Sequence, residues 1–331
     1  MHTTMVLLVL VILVSLIFDF TNGFHDCSNA IATVVATRVL SWRTAVIMSA
    51  VLNFIGAFFS TRVAGTIEHG LLTEGTPLVV LAAAVGAITW NMITWYYGLP
   101  SSSSHALVGG LVGAGMVHGS MHSVIWSGVW WKVVVPMVCS PIAGFAIGYA
   151  VMTLIEKTVL RHSSEFKDRM FRKLQVASSA LMAFSHGSND AQKTMGIITL
   201  ALISAGKIPD SHIPLWVIVV CALAMALGSL SGGRRIATTT GEKITKLQPV
   251  NGFAAEATAA SVIFASSYVG APVSTTHVVV GSVTGVGAGK VPARVSWNII
   301  RSLMVAWALT LLAAALVAGS VYWLLRHVLP G

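Results

Sequence analysis

Apolar runs of roughly 15 to 25 residues recur along this chain, at positions 5–18, 44–60, 78–97, 133–155, 215–230, 254–269 and 302–325. That is the length a helix needs to cross hydrocarbon. With 55% hydrophobic and 9% charged residues among 331, the chain lacks the polar surface a soluble globule needs. It reads as an all-helical, multi-pass protein of the cell membrane, with the lipid bilayer as its first partner. No Lys or Arg precedes the first run, and no small-residue cleavage pattern separates it from the polar stretch at 19–26. It is therefore expected to be the first membrane helix rather than a removable signal.

The formal charge of +9 raises the question of nucleic acid. The basic residues, however, sit in short loops between apolar segments rather than on one solvated face, as positive-inside charges do. No nucleic-acid partner is expected. Cys27, Cys139 and Cys221 are widely spaced in apolar surroundings. They suggest neither a disulfide framework nor a zinc motif.

Two motifs occur twice, in the same order. GLPSSSSHALVGGLVGAG at 98–115 is echoed by GAPVSTTHVVVGSVTG at 270–285, pairing Pro100 with Pro272, Ser102 with Ser274, His105 with His277, Gly109 with Gly281 and Gly113 with Gly285 at one constant offset. Upstream, FTNGFHDCSNA at 20–30 resembles FSHGSNDAQKT at 184–194, with Phe20 over Phe184, Gly23 over Gly187 and Asp26 over Asp190. An internal duplication follows. It predicts an N-terminal membrane repeat at 1–155, a linker at 156–173 carrying Lys157, Arg161, Lys167, Arg169, Arg172 and Lys173, and a C-terminal repeat at 174–331.

Loop charge predicts how the halves are oriented. The loop after the first motif carries Arg38 and Arg43 in one half but only Lys207 in the other, whereas the next loop carries Arg62 against Arg234, Arg235, Lys243 and Lys246. The bias swaps between halves, as inverted-topology repeats of secondary transporters would require.

Within hydrocarbon, a broken helix survives only where it is buried in protein or lines a wet cavity. Pro100 and Pro272 stop an ordinary helix, and the hydroxyl residues behind them, Ser102, Ser103 and Ser104 or Ser274, Thr275 and Thr276, are good caps for a new one. Each knot is predicted to be a helix start inside the membrane. Its free N–H groups, hydroxyls and positive dipole end suit a tetrahedral oxyanion. The competing expectation is that these residues only cap tightly packed helices, aided by the small-residue spacing of Gly109 with Gly113 and Gly281 with Gly285.

The other motif supplies charge. Asp26 and Asp190 fall within apolar segments, where a carboxylate points to function because its uncompensated burial is costly. On a helix His25 and Asn29 share a face, as do Asn189 and Lys193, and Asp190 lies three residues from Lys193 and could pair with it. Lys193, Gln192 and Asn189 are candidates to hold the anion; Asp26, Asn29 and Asp190 are candidates to hold a cation or accept a proton. Glu256, whose repeat equivalent is Ala84, is a site ligand or a packed, protonated acid. Asp19, opposite Ala183, is a weaker candidate. These acids against one lysine would repel a dianion unless cations enter with it, which predicts cation symport. His25, His105, His186 and His277 are expected to be hydrogen-bonding or capping groups rather than a metal site.

Enzymatic readings fare poorly. LSGGR at 230–234 superficially matches an ATPase signature peptide, but GxxxxGK[ST] is missing, and so is GxSxG. A phosphatase with a His nucleophile would want several basic residues at a soluble face. A channel is disfavoured because paired broken helices suit alternating access.

Taken as a set, NGFHDCSNAIATVVATR, FSHGSNDAQKTMG, GLPSSSSH and GAPVSTTH resemble the inorganic phosphate transporter family often called PiT, specifically its bacterial low-affinity branch, from Asn22 almost to the C-terminus. The resemblance implies an inverted-repeat carrier with re-entrant hairpins that moves phosphate with protons or sodium and, in the bacterial branch, metal-phosphate complexes. By motif position it implies a substrate and ion site of Asp26, Asn29, Asn189, Asp190, Gln192, Lys193, Ser102 to Ser104 and Ser274 to Thr276. Glu256, in GFAAEATAA, falls where relatives have a transport-relevant acid. Many sodium-coupled members read Asn-Asp where this chain reads His25-Asp26, which implies protons over sodium. No resident cofactor is implied. Sulfate permease is the alternative within the fold; a divalent-metal permease and a membrane phosphatase are remoter ones. Homo-oligomerisation is compatible with all of them.

Overall fold

A computed structural model describes residues 2–73, 75–159, 165–209 and 212–328. Its first helix, α1 (His2–Ala30), does not stop where the apolar run stops but continues through the whole polar motif. Protein rather than lipid surrounds the polar turns, so the helix carries buried polar groups without exposing them to hydrocarbon. A short α2 (Ala32–Ala36) follows, then α3 (Trp42–Gly56), whose N-terminus is capped by Ser41. Next come α4 (Arg62–Gly70) and α5 (Pro77–Tyr97), the latter capped by Thr76 and closed by Gly98 in the left-handed region at φ 64°. The first broken-helix motif then starts α6 (Ser103–Gly119). A turn of helix, α7 (Trp126–Gly128), runs through a π-helical stretch into α8 (Val135–Thr158).

The second half repeats this order. Its motif helix α9 (Glu165–Ser204) has 40 residues, about 60 Å at 1.5 Å per residue and so about twice the hydrocarbon thickness. The first turns of α9 contain Lys167, Arg169, Arg172 and Lys173 of the expected linker, while Arg161 lies outside the described residues. After it come α10 (Leu215–Ser231), α11 (Arg234–Thr238) with a π-helical continuation, α12 (Pro249–Tyr268), α13 (Thr275–Lys290) and α14 (Trp297–Val328).

Each of the seven apolar runs falls on a helix, but they are not seven equal spans. Four stretches among the described residues are long and apolar enough to cross a membrane, Met5–Ala30, Pro77–Tyr97, Trp126–Thr158 and Trp297–Val328, and a fifth is the α10–α11 pair bent by 68°. The 15 residues of α3 reach only about 22 Å. Shortness at α3 and the bend after α10 fall at corresponding places in the two halves, beside the broken helices.

The halves interlock crosswise. α6 lies along α14, while α13 lies along α8; α1 crosses α10, while α9 crosses α3. The glycines anticipated as packing positions make these contacts. A Cβ on Gly113 would stand 2.1 Å from the Ala315 carbonyl oxygen, and one on Gly285 would stand 2.1 Å from that of Phe145. Close backbone approach of this kind is how membrane helices associate without a hydrophobic driving force. Large side chains on the outer face of α14, such as Val305, Leu312 and Leu316, are exposed and face lipid.

Candidate functional site: two helix starts between two carboxylates

The backbone decides the centre of the site. After Gly98 and Gly270 turn the chain through positive φ, both motifs run extended past Pro100 and Pro272 and begin a helix at Ser103 and Thr275. The predicted caps are in place: Ser102 Oγ accepts from the His105 N–H and Ser274 Oγ from the His277 N–H, each at 3.2 Å. The N–H groups of Ser103, Ser104, Thr275 and Thr276, in the first turn of each helix, have no intrahelical acceptor. The two tips touch. Ser104 Oγ lies 3.5 Å from the Val273 carbonyl oxygen, and the rings of His105 and His277 are 4.7 Å apart. Two positive helix ends thus face one another in the interior.

Around them stand the charged motifs. Thr276 Oγ1 donates to Asp26 Oδ1 at 3.0 Å, Asn29 Nδ2 donates to Thr276 Oγ1 at 3.0 Å, and His25 Nδ1 lies 2.8 Å from Asp26 Oδ1. Thr275 Oγ1 donates to Asp190 Oδ2 at 3.1 Å, and His186 Nε2 lies 3.4 Å from the same oxygen. Lys193 Nζ donates to Asp190 Oδ1, to Ser104 Oγ and, at 3.1 Å, to the Val273 carbonyl oxygen. The i,i+3 pairing weighed from sequence therefore forms. Motif helices and broken helices of both halves build one cluster, with each tip reaching across to the other half.

Three expected residues serve at its edge. The Gln192 carboxamide oxygen accepts from the Val63 N–H at 2.9 Å and so supports the start of α4. Asn189 Nδ2 donates to Ser267 Oγ at 3.0 Å and to the Ala271 carbonyl oxygen at 3.3 Å, bracing the second broken helix from behind. Glu256 forms a separate buried knot, accepting from Ser178 Oγ at 2.6 Å, from Gln175 Nε2 at 3.4 Å and from Thr33 Oγ1. His277 stacks on Trp307 with ring centroids 3.7 Å apart, and Trp307 Nε1 donates to the Pro100 carbonyl oxygen, tying the two tips to α14.

Several neighbours escaped the sequence reading. Thr94 meets His25 Nε2 at 3.0 Å and accepts from Ser101 Oγ at 2.8 Å, Thr240 donates to Asn29 Oδ1 at 2.6 Å, and Asn53 Oδ1 meets His186 Nδ1 at 2.8 Å. The available signal was a lone polar residue inside an apolar run, as at Asn53 and Thr94. Asp19 is fully buried and faces Thr194, two turns before Asp26 on α1. Among the described residues, no group of three or more His, Cys, Asp or Glu side chains is placed to hold a metal ion.

Arg62 and Arg235, counted from sequence as loop charges, each clasp a broken helix of the opposite half. Arg62 donates to the Tyr268 carbonyl oxygen and lies 4.7 Å over that ring, and Thr66 Oγ1 donates to the Gly270 carbonyl oxygen at 2.8 Å. Correspondingly, Arg235 donates to the Tyr96 carbonyl oxygen at 3.0 Å and Thr239 to that of Gly98 at 2.9 Å. Both clasps sit on the left-handed turn that starts a re-entrant segment. Arg62→Ala and Arg235→Ala are each expected to lower the unfolding free energy by about 1 kcal/mol, because each removes a partly exposed contact away from the tips. Unfolding midpoints of the purified variants check this.

At the centre Asp26, Asn29, Ser102, Ser103, Ser104, Asp190, Lys193, Ser274, Thr275 and Thr276 are all at most 4% exposed. The centre of the cluster is thus enclosed by protein.

Comparison with known proteins places these features in context. The model of the phosphate transporter family matches residues 22–318. The probable low-affinity inorganic phosphate transporter of Rhizobium meliloti (strain 1021) is 46% identical over 96% of this chain and 96% of its own length. That of Bacillus subtilis (strain 168) is 41% identical over 99% of this chain and 100% of its own. A solved structure described as the sodium-dependent phosphate transporter superposes with a TM-score of 0.87 at 25% identity, covering 98% of this chain and 100% of that one.

Proposed function

Because the chain belongs to the phosphate transporter family and is a multi-pass plasma-membrane phosphate transporter rather than an enzyme, we propose that it is a secondary active symporter. It carries inorganic phosphate, alone or as a metal-phosphate complex, together with protons in preference to sodium, by alternating access of two inverted repeats. One observation carries this reading: two helix N-termini from opposite halves meet inside the membrane between Asp26 and Asp190. The helix ends attract an oxyanion. The carboxylates, with only Lys193 beside them, repel it until a cation neutralises one of them.

Phosphate contacts are assigned to the N–H groups and hydroxyls of Ser102 to Ser104 and Ser274 to Thr276, and cation or proton contacts to Asp26, Asn29 and Asp190. Asn189, Gln192 and the four motif histidines hold these groups in place. Glu256 is assigned to proton movement or to the joint between α1 and α12. Inversion of the halves would set the Arg62 and Arg235 clasps on opposite sides of the membrane, one beside each entrance. Enclosed by protein, the arrangement suits an occluded step, from which rocking of one half against the other opens either entrance.

Sodium coupling has one observation in its favour, the likeness to a transporter described as sodium-dependent. Proteoliposomes of the pure protein decide between the two. Radiolabelled phosphate uptake driven by an imposed proton gradient, indifferent to sodium and resistant to excess sulfate, is the expected result. Uptake driven only by sodium would replace the proton, and uptake blocked by sulfate would make the protein a general oxyanion carrier.

A further inference from the structure

Lys193 is the largest buried charge in the site and 1% exposed. An ammonium has three donors and no acceptor. All three are used, on Asp190 Oδ1, Ser104 Oγ and the Val273 main-chain oxygen. No proton is left to point at an anion. What encloses the ammonium is an all-oxygen set: a carboxylate from a motif helix, a hydroxyl from the opposite tip, and a carbonyl from the extended backbone before a half-helix. Unwound carbonyls with hard oxygen partners are how transporters of this architecture seat small cations.

The duplication supplies the control. Asp190 corresponds to Asp26, Ser104 to Thr276 and Val273 to Ser101, and the position of Lys193 is taken by Asn29. The first half brings two of the matched oxygens together, Asp26 Oδ1 and Thr276 Oγ1, 3.0 Å apart. In place of a tethered ammonium it has a neutral carboxamide on Thr276, and His25 on the same Asp26 oxygen that accepts from Thr276. Two copies of one oxygen set thus differ in whether the chain itself supplies the cation.

We propose that Lys193 is a built-in cation: its ammonium permanently fills a seat made for a mobile monovalent ion, and the matched seat at Asp26 and Thr276 is the one the coupling cation visits. This rests on the cation-coupled reading above. It follows that the chain needs one coupling cation fewer per phosphate than the same scaffold with asparagine at position 193. Lys193 then favours phosphate by neutralising Asp190 rather than by touching the anion.

The test is Lys193→Asn, which installs the residue the first half uses. Purified in detergent with phosphate present, the variant is expected to bind about one 22Na⁺ more per chain than the wild type, and sodium is expected to raise its thermal midpoint, as any ligand confined to the folded state does. Reconstituted, its phosphate uptake is expected to become sodium-stimulated by about tenfold, one decade corresponding to 1.4 kcal/mol of cation binding. A folded variant with no added 22Na⁺ and uptake as indifferent to sodium as the wild type overturns the proposal. So does a variant that folds in none of lithium, sodium or potassium, since an emptied cation seat must be refillable. Asn29→Lys is the reciprocal arm: with both seats filled by the chain, uptake should lose its dependence on any cation gradient, and an unchanged dependence overturns the proposal as well. Failure of the wild type to take up phosphate under either gradient would instead sink the symport reading, while the 22Na⁺ count still judges the role of Lys193.

Discussion

Asp190→Asn is expected to abolish coupled phosphate uptake, leaving less than about one hundredth of the wild-type rate, and to destabilise the protein by about 3–5 kcal/mol, the cost of stripping one partner from a buried ion pair. Lys193 would keep its charge at 1% exposure with only a hydroxyl and a carbonyl to oppose it, and Thr275 would lose its charged acceptor while the carboxylate near His186 would be gone. Removing the lysine as well separates the two effects. Asp190→Asn with Lys193→Met leaves no unpaired charge, so its thermal midpoint is expected to recover most of the loss while uptake stays absent. If the single variant transports normally, Asp190 has no part in the mechanism. If the double variant is no more stable than the single, the pair is not what makes the substitution costly.

The second large effect is expected at two positions with no side chain, Gly187 and Gly23. A Cβ on Gly187 would lie 2.2 Å from the Asn53 carbonyl oxygen and 2.5 Å from its Cα; on Gly23 it would lie 2.3 Å from the Met225 carbonyl oxygen. In both cases the obstacle is backbone, which cannot swing aside as a side chain tip would. Alanine at either place pushes α9 off α3 or α1 off α10, and carries the carboxylate three residues further on with it. We expect Gly187→Ala and Gly23→Ala to cost about 1–3 kcal/mol as overpacking and to lower uptake more than about tenfold, since angström-scale misplacement of a reacting group commonly costs that much. Unfolding midpoints together with uptake per folded molecule check both numbers. Wild-type uptake in Gly187→Ala would mean that the crossing of α9 and α3 does not set the position of Asp190.

Much of this was legible from residue types alone. The paired Pro and hydroxyl motifs could hardly do anything but start helices, because proline cannot donate within a helix and serine caps the one that follows. Asp26 and Asp190 stood out because a carboxylate within an apolar segment is costly unless something answers it. Capping and glycine packing, which the sequence offered together as the alternative to an anion site, both occur: the same motif caps α6 with Ser102 and packs it on α14 through Gly109 and Gly113. The part Lys193 plays was not legible. Its spacing from Asp190 allowed a pair, but only the fold shows that Ser104 and Val273 use the remaining two donors. Nor did the sequence show that the Gln192 carboxamide oxygen accepts from the Val63 N–H at the start of α4, a partner 129 positions away.

The sequence by itself determined the class of protein, the duplication and the chemistry available to the site, because hydropathy, repeated motifs and buried charge are properties of residue order. Which side chains meet was decided only by tertiary structure. Arg62 reaching Tyr268, Arg235 reaching Tyr96, Thr276 of the second tip reaching Asp26, and Ser104 of the first tip reaching Lys193 are contacts between halves, set by how the two halves interlock. Local periodicity reports the face a residue occupies on its own helix. It holds no information on the helix that covers that face, and in this molecule the covering helix so often comes from the other repeat.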